Sequence, residues 1–274
     1  MAIVTKYLTR NPCYQSGRTI RVKGLMLHSV GCPQPDPHVF VKNWNSPSYD
    51  RACVHGFVGE DEAIITLPCL ETVGKAMRAW HCGASGNNTH IGVEMCEPGN
   101  IRYTGGASFT CRDLAAARSY VEKTTKQAAE LFARLCRFHG LDPMQDIVSH
   151  AEGHALGIAS NHGDPDHLWR GLGMKYGMDD FRRDVAERMK EQEDEDMVRY
   201  ARLKDIPNEH GFRDIIEKLM DAGILGGDGS DKTGNNDVID LSHDMVRNLV
   251  LEYRGGAFDR KFLAAGMEPA VASE

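Results

Sequence analysis

Two histidines and an aspartate, each set where an apolar run gives way to a loop, carry the most chemistry in this chain. His28 closes the run GLMLHS, His150 closes DIVSH, and Asp164 follows in SNHGDPDHLW. Two imidazoles and one carboxylate can grip one face of a divalent ion and leave a position open, the ligand chemistry of a catalytic metal rather than a structural one. Taken singly, each residue has a plainer reading, a hydrogen-bonded core histidine or a turn aspartate before proline. The repeated context at His28 and His150 is what lifts the set above coincidence. His154, His162 and His167 crowd the same stretch, so the residues alone leave the choice of ligands open. HAEGH is not the His-Glu-x-x-His helix of zinc proteases, and no Pro-Cys-x-x-Cys follows Glu152 as it would in a zinc deaminase.

Several elements must position these groups. Residues 18–29 read as one strand that turns apolar toward His28. ACVHGFVG and AIITLP, separated by GEDE, read as a hairpin, HIGVEMCE at 90–97 as a third strand and DIVSH at 146–150 as a fourth. A long helix lies between the last two, with Thr110 as N-cap, Asp113 in its first turn and Gly140 as its stop. Leu114, Val121, Ala128, Leu131, Leu135 and Phe138 give that helix one apolar face. Gly153, Gly157 and Gly163 suggest a loop wrapping the site. A further helix starts near Asp179 and runs into the acidic stretch EQEDED, which sets a domain boundary near residue 195. Two more helices are expected around 210–223 and 242–254. The loop between them, GGDGSDKTGNND, lacks the glycine and terminal glutamate of a calcium-binding EF-hand and reads as a turn-rich connector.

Composition bounds the function classes. The chain has 274 residues, 41% hydrophobic and 26% charged, which is ordinary for a globular protein with one good core and a smaller module. A net charge of −7 leaves no basic stripe for nucleic acid. No apolar run is long enough to cross a bilayer, and the N-terminus shows no signal-peptide core, so synthesis in the cytoplasm is expected. All eight cysteines fall in the first half without a Cys-x-x-Cys pair, which favours small buried hydrophobes over disulfides or a thiolate zinc knot.

In order, LHSVG, CVHGFVGED, RAWHCGASGNNTHIGVEMCE, SHAEGH and NHGDPDHLW form a series that resembles the zinc-dependent N-acetylmuramoyl-L-alanine amidases of type 2, relatives of peptidoglycan-recognition proteins. The resemblance spans roughly residues 20–190 and is most specific from Ala79 to Glu97. It implies an α/β fold, a central, mostly mixed sheet flanked by helices, over residues 1–194, and it makes His28, His150 and Asp164 the Zn2+ ligands. It also gives Glu94 the work on the attacking water and places His55, Trp80, His81 and Asn88 along the peptidoglycan-binding cleft. Two departures stand out. His162 replaces a lysine that stabilises the oxyanion in several relatives, a task an imidazole donor can perform. Val54 occupies a position where some relatives carry tyrosine.

Residues 195–274 resemble, more loosely, small helical modules of amidases from prophages of Gram-positive hosts, through RLKDIP, IIEKLMDAGILGGDG and LSHDMVRNLVLEYRGGAFD. Cell-wall binding and self-association into a homo-oligomer both suit an apolar face of Ile215, Ile216, Leu219 and Met220. The expected setting is a phage or prophage endolysin, or an enzyme recycling wall fragments; the extra module favours the endolysin, freed from the cytoplasm by a holin. The main alternative is a non-catalytic peptidoglycan-recognition module, which typically lacks a zinc ligand that this chain retains. A cysteine amidase using Cys32, Cys53 or Cys82, and a protein whose metal only stabilises the fold, complete the alternatives.

Overall fold

A computed structural model of the chain describes residues 2–196, 198–227 and 237–271, with the side chains of residues 2 and 191–196 left aside. The chain forms two compact units, Met1–Met189 and Lys190–Glu274. In chain order, the first part runs β1 (Ala2–Thr5), α1 (Pro12–Ser16), β2 (Thr19–Arg21), β3 (Gly24–Ser29), α2 (Pro37–Trp44), β4 (Gly56–Val58), β5 (Glu62–Ile65), β6 (Lys75–Met77) and β7 (His90–Met95). It continues with β8 (Ile101–Gly105), β9 (Ser108–Cys111), α3 (Leu114–His139), α4 (Pro143–Asp146), β10 (Ile147–Ser149), α5 (His150–Ala155), α6 (Asp166–Gly171) and α7 (Met178–Asp196).

Six strands make one mixed sheet in the order β1-β5-β4-β7-β3-β10. Only the β4–β5 hairpin, read from GFVGEDEAII, is antiparallel within it. Helices flank this sheet, as expected. Every residue of β3 is buried, so it reads as an unbroken apolar run instead of an alternation. Leu25 and Leu27 join Ile91 and Val93 of β7 and Phe132 of α3 in the main core, while Met26 packs with Cys82, Val148 and Ala159 in a smaller cluster. Strand side chains alternate between faces, so His28 shares a face with Met26, away from α3.

Four local expectations need correction. Residues 18–29 are two strands: β2 leaves to pair with β6, and β3 begins at Gly24, whose missing side chain admits the Asp146 carbonyl. Thr110 lies in β9 opposite Arg102, and Asp113 caps α3 by accepting the Ala116 N–H. Leu114 is exposed at the start of α3, whereas Val121, Ala128, Leu131 and Leu135 are buried. The segment after Ser149 is a short helix, not a loop. Ser149 and Glu152 close a reciprocal capping box around its first turn. Gly153 sits inside it because a Cβ there would lie 2.8 Å from the Met26 side chain.

The second unit contains β11 (Arg199–Arg202), α8 (Phe212–Asp221), β12 (Val238–Ser242), α9 (His243–Arg254) and α10 (Asp259–Ala264). β11 and β12 pair antiparallel, so the unit is not purely helical. Ile215, Ile216 and Leu219 of α8 pack against Val246, Val250 and Phe262. The apolar face expected to meet a partner is therefore the unit's own core. Residues 228–236 of the glycine-rich connector lie outside the described residues. Among the described residues, no helix is long and apolar enough to cross a membrane.

Candidate metal centre and active-site cleft

The sheet register sets up the site. His28 and Glu94 are direct partners on the adjacent parallel strands β3 and β7. One strand further, β10 ends at Ser149, and the capping box turns the chain so that His150 opens α5. The Ala151 N–H then donates to the Asp164 carbonyl at 3.3 Å, drawing Asp164 beside His150. Nδ1 of His28 lies 3.0 Å from Nδ1 of His150 and 3.2 Å from Oδ2 of Asp164, and the third pair is 3.5 Å apart. These three ligand atoms, brought together from positions far apart in sequence, form a donor set that can hold a divalent ion.

The remaining ring nitrogens support that reading, because a metal-binding imidazole normally gives its other N–H to a fixed acceptor. Nε2 of His81 donates to the His90 carbonyl at 3.1 Å, which leaves its Nδ1 to accept from Nε2 of His28 at 2.9 Å. The lone pair of His28 Nδ1 is thereby left facing the other two ligands. His81 reaches this position because it rests on Gly92, where a Cβ would lie only 2.4 Å from the His81 ring. Nε2 of His150 lies 3.2 Å from the Ser160 hydroxyl, which is itself 3.0 Å from Nδ1 of His162.

The electrostatics of the site follow from burial and from its near neighbours. Burial pushes the His28 imidazole below its usual range, with Asp164 partly opposing it. Burial also raises the Asp164 carboxyl, but hydrogen bonds to His150 and His28 outweigh it and hold Asp164 well below the usual carboxylate range. Glu94 behaves oppositely: burial first, then Asp164 and Glu97, push its carboxyl well above the normal value. Its Oε2 is shielded and has no hydrogen-bond partner. An orphaned carboxyl oxygen beside a metal-type donor set suits a group that takes up and returns a proton.

His28, His81, Glu94, His150, His162 and Asp164 all line one cleft of about 720 Å³. His167 and Gly163 line it too, whereas His55, Trp80 and Asn88, expected along the cleft, do not. His55 is fully enclosed, with Nε2 donating to the Met77 carbonyl and Nδ1 accepting the Gly92 N–H, and burial lowers it to about 4. Trp80 bridges to Cys53 and packs on the cluster of Leu8 and Leu67. Asn88 accepts from the Arg78 guanidinium at 2.7 Å. Its neighbour Asn87 is the structural asparagine, accepting the backbone N–H groups of His81 and Cys82.

All eight cysteines are free thiols. Cys53 and Cys82 are buried, burial pushes Cys32 up to about 11, and none of the three lines the cleft, which removes the geometry a cysteine amidase needs. Sequence reasoning missed Asn87, Ser160, Glu97 and Tyr103. The Asn-Asn pair and the acid three residues after Glu94 were the available signals.

Comparison with known proteins bears on the family and the fold. Residues 18–167 match the N-acetylmuramoyl-L-alanine amidase family, and the chain belongs to it: it is an enzyme of the peptidoglycan-amidase class. The structure is similar to the Staphylococcus aureus hydrolase AmiA, solved with its ligand, at 20% identity and a TM-score of 0.53, covering 71% of this chain and 86% of that one. At this identity the likeness speaks to the fold. Lower likenesses include the catalytic domain of XlyA, at 18% identity and a TM-score of 0.46, covering 68% of this chain and 99% of that one. A mutant endolysin from Bacillus subtilis stands at 20% and 0.45, with the same coverage. No curated protein matches the sequence.

Proposed function

We propose that this amidase is zinc-dependent and cuts the bond between the lactyl group of N-acetylmuramic acid and the L-alanine of the stem peptide. The observation that carries the reading is the convergence of His28, His150 and Asp164 in a cleft that also presents the unpaired Glu94. Two nitrogens and one oxygen, with one ring N–H of each histidine facing a side-chain acceptor, suit zinc. Bound there, zinc supplies a Lewis acid that polarises the scissile carbonyl and acidifies the attacking water.

The chain's own groups do the rest. Glu94 accepts the proton of the water as its oxygen bonds to the carbonyl carbon, and returns it to the L-alanine nitrogen as the C–N bond breaks. His162, exposed at the mouth and within reach of His150 and Ser160, donates to the developing oxyanion. The products are a muramyl carboxylate and a stem peptide with a free amine. The setting we propose is a phage or prophage endolysin that reaches the wall after holin-type release. The second unit then serves wall attachment or self-association.

The test is hydrolysis of purified peptidoglycan by metal-loaded, chelated and zinc-restored protein, with mass analysis of products. Stem peptides beginning with L-alanine, lost on chelation and regained with zinc, are expected. Wall binding without turnover in any state would overturn the proposal and favour a recognition module.

A further inference from the structure

A second polar chain crosses the cleft wall and takes no part in the steps above. Glu97 follows β7 and is completely buried. Its Oε1 accepts the Gly31 N–H at 3.0 Å, and its Oε2 accepts the Tyr103 hydroxyl at 2.8 Å. The same hydroxyl lies 2.7 Å from Nε2 of His167. A phenol has a single proton, and Tyr103 gives it to Glu97. The Tyr103 oxygen must then accept, so His167 carries its proton on Nε2. Donation runs from His167 through Tyr103 to Glu97.

The two ends of this chain lie on the two segments that carry metal ligands. Gly31 belongs to the turn just after His28 and Ser29, and His167 belongs to the first turn of α6, just after Asp164 and Pro165. The backbone N–H of His167 donates to the Gly163 carbonyl at 2.9 Å, closing a turn around Asp164. A buried carboxylate is unfavourable unless its oxygens are bonded. Here both oxygens are bonded, one directly to the His28 segment and the other through Tyr103 to the Asp164 segment.

We propose that Glu97, Tyr103 and His167 form a positioning brace that fixes the Asp164 segment against the His28 segment and thereby sets the metal affinity of the site. The inference rests on the zinc reading above. Groups that orient metal ligands without touching the metal are commonly worth roughly 10–100-fold in affinity.

Three variants separate bracing from packing. Tyr103→Phe keeps the ring against Phe109 and His167 but removes the hydroxyl. His167→Gln places an amide nitrogen near the Nε2 position and can still donate to Tyr103. His167→Asn places it near Nδ1, which has no partner, and cannot. The experiment measures zinc affinity of the full chain by competition with a chromophoric chelator, and thermal unfolding of the chelator-stripped proteins. Y103F and H167N should weaken zinc binding roughly tenfold or more, with H167Q within about threefold of wild type. The stripped proteins should unfold at similar temperatures. Equal affinity in all variants would overturn the brace. So would an H167Q as weak as H167N with a lowered unfolding temperature, which would mean packing alone. A wild-type chain that binds no zinc would overturn the zinc reading itself, and the brace with it.

Discussion

The two imidazoles of the donor set, His28 and His150, are steadied from opposite sides of the cleft by different means. His28 leans on an enclosed wall in which His81 passes its hydrogen bond on to a strand carbonyl. His150 leans on Ser160 and His162, a short polar loop open to solvent. The wall can hold an orientation because each partner has a fixed neighbour and little water competes. The loop can exchange its partners with water, so it is free to meet the substrate. On the proposed reading, the metal is steadied mainly from the wall, and the oxyanion donor His162 comes from the loop.

Removing a group from each side should break this division unequally. On the wall, Glu94→Gln should lower kcat by about 10³-fold while zinc stays bound, measured by peptidoglycan turnover alongside metal content. Full loss of zinc instead would make Glu94 part of the ligand set. The enclosed side should also carry an acid sensitivity, through the buried His55, whose ring centroid lies 6.1 Å from that of His81. His55 sits near 4 because burial disfavours its charged form, against 6.5 for an ordinary histidine. The unfolded chain takes up that proton first as pH falls, so His55's contribution is complete above 6.5 and is lost on the way down to about 4. That amounts to about 3 kcal/mol, and His55→Gln should reduce the slope of stability against pH by about one proton in urea unfolding.

On the loop, His162→Ala should lower kcat by about 10²-fold with little change in zinc affinity, the mark of an oxyanion donor. His81→Phe, back on the wall, should do the reverse and weaken zinc roughly 10–100-fold. Ser160→Ala should be mildest, within about threefold in zinc affinity, because water can take the place of a half-buried hydroxyl at the cleft mouth. Equal losses from H81F and S160A would abolish the distinction between wall and loop.

The sequence made the wall's strands easier to read than the loop's connections. GLMLHS and IGVE are apolar on both sides of the sheet, so a polar residue at their ends stands out. Their relative register, which makes His28 and Glu94 neighbours, depends on pairing across some sixty residues of chain and leaves no local trace. SHAEGH misled because its glycine suits a loop, whereas Met26 on another strand demands that glycine inside a helix. Thr110 looked like an N-cap because nothing local reveals that β8 claims it as a strand partner. Asn88 and Asn87 are indistinguishable until backbone direction is known. His55 illustrates the converse: a chemically capable ring whose two nitrogens are both taken by the backbone.

Gly92 carries a consequence of its own. It contributes no donor, charge or reactive atom, yet the His81 ring occupies the space its side chain would fill. A single methyl group there would displace His81 and, through it, the ring nitrogen of His28. The centre therefore extends to a position with nothing to coordinate, and a surveyor of mutations who scored only reactive side chains would pass over one of its least replaceable parts.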